Sequence, residues 1–250
     1  MSDKMAMVPP AVNEPILNYA PGSAERVELI ATLKKMKSEI VEIPLIIGGK
    51  EIYTGNTATN VMPHNHQHVL ANYQLAGPDE IALAIESSQK AWKTWSVMPW
   101  ESRVAIFKRM AVLLAHPYGH IVNAATMLGQ SKNAYQAEID AACELIDFFN
   151  FNAQYLQEIY RQQPPFSPTG TWNMVEHRAL EGFVFAVTPF NFTSIAGNLP
   201  TAPVLMGNVA LWKPASSSVY SGYYLMKMFK EAGLPDGVIN FIPGKGSIVG

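Results

Sequence analysis

The sequence predicts an α/β protein organised around a parallel sheet, on three observations. Two short, continuous apolar runs at residues 183–187 and 209–212 each stop at a proline, as strands buried on both faces of a parallel sheet do. A helix-forming stretch at 219–232, closed by Gly233 and Pro235, leads to a third apolar run at 238–242. Strand, helix, strand, helix, strand over residues 183–242 then forms a right-handed unit of the dinucleotide-binding, Rossmann-like kind.

Before that unit the chain is mostly helical. Residues 1–22 are punctuated by Pro9, Pro10, Pro15 and Pro21 and read as extended surface chain. A helix at 25–37 follows, capped by Ser23. A small β element comes next: 43–47 and 50–53 form a hairpin about Gly48-Gly49, with 55–60 as its exit turn. In HNHQH, strand alternation places His64, His66 and His68 on one face. No carboxylate accompanies them, so they read as a solvated edge rather than a metal site. Apolar spacing then predicts helices from Gly77-Pro78-Asp79 to Ser96, over 102–115, over 118–128 ended by Gly129, and a long one over 133–161. In that long helix Cys143 reads as a small core residue, and Glu138 and Glu144 as a charged face.

A proline-rich break, QQPPFSPT at 162–169, ends this first region (1–161) and opens a β arm at 162–180. Residues 171–177 of the arm alternate as a strand without a partner in its own chain, which makes it a candidate oligomerisation hairpin. The third region, 181–250, is the Rossmann-like core. Ser216, Ser217 and Ser218 serve as N-caps of its helix, whose apolar stripe holds Tyr220, Tyr223, Tyr224 and Met228.

Composition limits the function. The 250 residues are 48% hydrophobic and 15% charged, with 18 basic and 20 acidic side chains and a formal net charge of −2. That balance supports a large core and provides no basic footprint for nucleic acid. No apolar stretch has the roughly 20 residues of a membrane span. One cysteine excludes an intrachain disulfide framework. The N-terminus carries neither a secretory nor a transit signature, so a cytoplasmic location is expected, with the mitochondrial matrix as the alternative.

Two polar residues stand where chemistry is expected. Asn191 follows the first strand between Phe190 and Phe192, and a side-chain amide fixed there can donate to a developing oxyanion while the aromatics exclude water. Its other reading is an Asx turn. Lys213 ends the second strand, so both residues reach the carboxyl edge of the sheet, where open α/β sheets bind ligands. The terminal glycines Gly244, Gly246 and Gly250 form a G-x-G-x-x-x-G pattern, a weak nucleotide signal by itself.

The stretches TPFNF and LWKPA resemble the aldehyde dehydrogenase superfamily. Together with QAEIDAACELIDFFNFNAQYL and SPTGTWN, they resemble its 1-pyrroline-5-carboxylate dehydrogenase branch, whose members oxidise L-glutamate γ-semialdehyde to glutamate with NAD in proline catabolism. The resemblance implies that Asn191 is the oxyanion amide and Lys213 the holder of the adenosine ribose. It sets Thr188, Pro189 and Phe190 on the nicotinamide side, Gly244, Gly246 and Gly250 near the adenine end, and Glu144 and Phe192 in the pocket of a small-molecule aldehyde. Ser216 stands where many relatives carry an acidic ribose ligand, which leaves NAD against NADP open.

The family's nucleophilic cysteine and deacylating glutamate lie downstream of the last motif, and Cys143 does not match that cysteine. The expectation is therefore an amino-terminal part with the catalytic domain absent and the NAD-binding domain incomplete, inactive by itself, and a homo-oligomer when full length. A non-catalytic nucleotide-binding or assembly module, or another semialdehyde dehydrogenase, are the alternatives.

Overall fold

The computed structural model describes residues 7–250. The first six residues, part of the N-terminus read as extended and free of a targeting signal, lie outside it. Residues 8–17 run as an extended strap along a helix that begins further on. Every third backbone N–H of the strap finds a side-chain acceptor. Val8 donates to Gln157 (2.8 Å), Ala11 to Gln154 (2.8 Å), Glu14 to Asp147 (2.7 Å) and Leu17 to Glu138 (3.1 Å). Three residues per turn is the period of proline-rich extended chain, so the prolines preset the spacing.

Helix α1 (Ala24–Ser38) starts at Ser23, whose Oγ accepts from Arg26 N. The expected 43–47 strand is broken by Pro44 into β1 (Val41–Ile43) and β2 (Leu45–Ile47), which join different sheets. Proline cannot donate to a ladder, and the chain changes sheet there. β2 turns at Gly48-Gly49, with φ of 59° and 75°, into β3 (Lys50–Ile52) as a hairpin. The expected exit turn is shorter than read, because Thr57 already opens β4 (Thr57–Met62), which pairs antiparallel with β5 (Asn65–Gln74). β1 lies parallel to β5, completing a three-stranded sheet. His64 sits in the β4–β5 turn and bonds Ser131 Oγ (2.8 Å), while His68 bonds Lys37 O (3.0 Å), so the histidines do not share one strand face.

Helices α2 (Pro78–Trp95), α3 (Trp100–Ala115) and α4 (Gly119–Gln130) follow the predicted pattern. α4 passes Gly129 and ends at Ser131, the residue that takes the left-handed conformation (φ 57°). The long helix is real but not uniform: α5 (Ala134–Ala137) leads through one π-helical stretch, Glu138–Cys143, into α6 (Glu144–Arg161). Asn133 and Gln136 cap its start reciprocally.

The π stretch begins at Glu138, which is not on a charged face but buried at 3% exposure. Its carboxylate accepts from Tyr19 OH (2.6 Å), Asn123 Nδ2 (2.7 Å) and Leu17 N. π-bulges recur where a helix must re-aim a functional or buried polar side chain. Tyr19 itself is held at φ 51°, a conformation non-glycine residues keep only when several contacts fix it.

The arm at 162–180 contains no strand. Pro164, Pro165 and Pro168 lack the N–H groups a ladder needs, and the Gln163 side chain substitutes for one rung. It donates to Val175 O (3.0 Å) and accepts from Val175 N (2.8 Å). Phe166, Trp172 and Met174 stay exposed.

The third region has β6 (Val184–Val187), α7 (Thr193–Leu205), β7 (Ala210–Lys213), a 3-10 turn Ser216–Ser218, α8 (Val219–Glu231), β8 (Ile239–Phe241) and α9 (Gly246–Val249). The sheet order is β3-β2-β8-β7-β6, with β6, β7 and β8 mutually parallel and β2 antiparallel to β8. β7 and β8 are buried throughout, as expected. β6 is not buried on both faces as its apolar run predicts. It is the edge strand, with Phe185 and Val187 exposed, because β7 is its single strand neighbour among the described residues.

Candidate active site

The ends of β6 and β7 are locked to each other. Val187 is the register partner of Lys213. One residue further, Thr188 N donates to Lys213 O (3.1 Å), and the buried Trp212 indole donates to Thr188 Oγ1 (3.0 Å). Lys213 is 8% exposed, and its Nζ donates to the carbonyl of the adjacent Pro214 (3.2 Å). Burial lowers its pKa from the usual lysine range. A desolvated ammonium with one local acceptor retains donors for a ribose hydroxyl or phosphate oxygen.

Asn191 lies in the loop between β6 and α7, so the strand ends do bring it and Lys213 to one edge of the sheet. The expected aromatic enclosure is not formed. Asn191 is exposed, Phe190 is 63% exposed, and Pro189 is half-buried. Phe192 is half-buried, with Lys132 Nζ 4.1 Å above its ring and paired with Asp140 at 2.5 Å. No residue caps the start of α7 through its side chain, since Phe192 occupies that position.

Glu144, at the first turn of α6, accepts from the hydroxyl of Ser194 in the first turn of α7. With Asn13, Asp147, Phe151 and Tyr155 it lines a shallow depression. Glu144, Phe192 and Asn191 thus gather around the amino end of one helix. Ser194 was not apparent as a site residue. Its signal is weak, a small hydroxyl in a Thr-Ser pair just after a loop.

Ser216 is exposed at the head of the 3-10 turn, and its carbonyl accepts from Asn60 Nδ2 (3.1 Å). The serines do not cap α8 as expected. The Ser218 hydroxyl instead donates to Ala215 O and Pro189 O, both at 3.4 Å. Gly244 is buried after β8, and a Cβ on it would stand 2.4 Å from Val249 Cγ2. The missing side chain lets the short α9 fold back against the strand end. Gly246 has open space around it, and Gly250 is exposed at the far end of the same turn. Asn191, Glu144 and Phe192 therefore form one group, with Lys213 and Ser216 forming a second beside them and the glycines beyond β8.

Cys143 stands apart from both groups. It is 5% exposed and faces Pro15 O and the Glu138 carboxylate. Burial, then the Glu138 charge, pushes its thiol far above the usual range. Since the thiolate is the nucleophile, native chain is expected to resist iodoacetamide at pH 8 for hours and to alkylate within minutes in denaturant. Mass spectrometry of the quenched reaction checks this, and rapid native labelling would contradict it.

The model of the Aldehyde dehydrogenase family matches residues 53–250. The chain belongs to the aldehyde dehydrogenase family. Within this family it is 50% identical to a delta-1-pyrroline-5-carboxylate dehydrogenase of Agaricus bisporus over 243 residues, which cover 97% of this chain and 44% of that one. A mitochondrial delta-1-pyrroline-5-carboxylate dehydrogenase of Dictyostelium discoideum is 48% identical over 245 residues, 98% of this chain and 44% of its own. Among solved structures, the delta-pyrroline-5-carboxylate dehydrogenase of Mycobacterium tuberculosis bound with NAD superposes with a TM-score of 0.97 at 45% identity. That match covers 99% of this chain and 46% of the other. This chain thus spans less than half the length of the curated relatives it matches.

Proposed function

We propose that this chain forms the nucleotide-holding part of a delta-1-pyrroline-5-carboxylate dehydrogenase, and that the complete polypeptide oxidises L-glutamate γ-semialdehyde to L-glutamate with NAD. The observation that carries the reading is the pairing of β6 and β7, which sets a desolvated Lys213 and the Asn191 amide at the ends of adjacent parallel strands. The residues fit the cofactor: the Lys213 ammonium has three donors and uses one on Pro214 O, Ser216 lies three residues on, and Gly244 lets the turn that carries the open Gly246 pack against the end of β8. When bound, NAD supplies the hydride acceptor.

In this reading Lys213 holds the adenosine ribose, with Ser216 beside it and Gly244, Gly246 and Gly250 toward the adenine. Thr188, Pro189 and Phe190 border the nicotinamide. The Asn191 amide donates to the oxygen that gains charge as the aldehyde is attacked, in a site that must be drier than the loop in this chain alone for that bond to reach full strength. Phe192 walls the substrate's aliphatic part, and Glu144 places a carboxylate near the substrate pocket. The one cysteine, Cys143, is buried and stands apart from the Asn191 and Lys213 groups, so in this reading the 250 residues do not turn over aldehyde by themselves. The exposed aromatic arm at 162–180 serves homo-oligomer assembly. Relatives named mitochondrial in Dictyostelium discoideum and Emericella nidulans favour the matrix over the cytoplasm. Among the described residues no helix is long and apolar enough to cross a membrane.

The test is NADH formation by the complete polypeptide with L-glutamate γ-semialdehyde and with unbranched aliphatic aldehydes lacking the amino acid head. A kcat/KM at least about tenfold higher for the semialdehyde is expected, within what a few polar contacts supply. Equal or reversed preference would refute the substrate assignment.

A further inference from the structure

β4 carries a register irregularity between Asn60 and Val61, and Asn60 is 2% exposed. Bulges re-aim a side chain, and here the amide is turned across the junction of the two sheets so that Nδ2 donates to Ser216 O. Its Oδ1 is buried without a partner among the described residues. A buried amide with one acceptor unmatched is a poor choice for packing alone, since an apolar residue of similar shape would avoid the desolvation cost.

The same loop is held from behind. Ser221 Oγ donates to Ser218 O (3.3 Å), and Gln130 Nε2, at the end of α4, donates to Thr193 Oγ1 (2.7 Å) and Ser221 Oγ (3.4 Å). Gln130 Oε1 is a second buried acceptor without a partner among the described residues. The Ser218 hydroxyl reaches back to Pro189 O, so one polar chain links the first turn of α8, the loop between Lys213 and α8, and the loop that bears Asn191.

We propose that Asn60 and Gln130 are positioning residues that fix the loop between Lys213 and α8 in the shape that receives the adenosine ribose. The inference rests on the nucleotide-binding reading above. Asn60 acts on the loop's backbone at Ser216, and Gln130 acts through Ser221 and Thr193. Neither touches the nucleotide.

Calorimetric titration of AMP and of nicotinamide mononucleotide into the 250-residue chain tests it, with Asn60→Leu, Asn60→Ser and Gln130→Leu compared by Tm and near-UV circular dichroism. Leu fills the Asn60 volume without the donor, while Ser retains a small donor and is a second variant should Leu not fold. For folded Asn60→Leu and Gln130→Leu, AMP affinity is expected to fall about tenfold, with nicotinamide mononucleotide affinity changed less than about twofold, the scale of one lost orienting hydrogen bond. Asn60→Ser is expected to recover part of the AMP affinity. A folded variant with unchanged AMP affinity, or with both ligands weakened equally, would overturn the assignment. Parent chain that binds neither ligand would remove the nucleotide-binding reading itself, and this inference with it.

Discussion

Glu138→Ala is expected to lower the stability of the chain by about 3–5 kcal/mol, the summed effect of leaving several donors without their acceptor at about 1–3 kcal/mol each. The substitution strips acceptors from Tyr19 OH, Asn123 Nδ2 and Leu17 N at once. Glu138 and Tyr19 are 3% and 8% exposed, so bulk water replaces the bond between them poorly. It also opens a space where the π stretch begins and frees the strap at Leu17. At roughly 2–4 °C per kcal/mol for a domain of this size, Tm should fall by about 6–20 °C. Glu138→Gln retains acceptance at one oxygen and should cost about half as much. Differential scanning calorimetry distinguishes these outcomes, and a loss under about 1 kcal/mol for Glu138→Ala would show that the carboxylate is not the anchor.

Asn191→Ala should have the largest effect on catalysis and nearly none on the fold. Removing one oxyanion donor costs about 10²–10³-fold in kcat. Asn191 is exposed in this chain, so truncating it leaves no cavity and Tm should stay within about 2 °C. Steady-state kinetics of the complete polypeptide should show kcat reduced and NAD affinity unchanged. A variant with normal kcat would return Asn191 to the role of a loop residue.

Much of the third region was legible because its signals are local. The runs at 183–187, 209–212 and 238–242 are short, largely apolar and closed by a nearby proline; β6 and β8 fall inside the first and third, and β7 overlaps the second and runs one residue past it to Lys213. Lys213 stood out for the same reason, a lone charge between Trp212 and Pro214. The features that were missed depend on partners far along the chain. Glu138 looks like any surface glutamate until Tyr19 and Asn123 arrive from the strap and from α4. β6 reads as a two-face buried strand, yet its exposure is set by which strand pairs with its outer edge, and an apolar run cannot encode that. Pro44 was visible, but its effect of sending β1 and β2 to separate sheets follows from the long β5 strand, which was not recognised.

The arm and the Asn191 loop show the same limit from the other side. Alternation in TWNMVEH is genuine, but the opposing QQPPFSP segment carries prolines that cannot complete a ladder, so the Gln163 side chain supplies the bonds instead. Phe190 and Phe192 flank Asn191 in sequence and diverge in space, one into solvent and the other under Lys132. Adjacency along a turn does not set a common surrounding.

The most direct test of the central claim, that Lys213 and its neighbours form a nucleotide site, is calorimetric titration of NAD into the 250-residue chain and into Lys213→Ala. Saturable binding to the parent is expected, weakened at least about tenfold in Lys213→Ala, consistent with loss of a charge-assisted hydrogen bond in a desolvated position. No heat at millimolar NAD, or equal affinity in the two proteins, would contradict it.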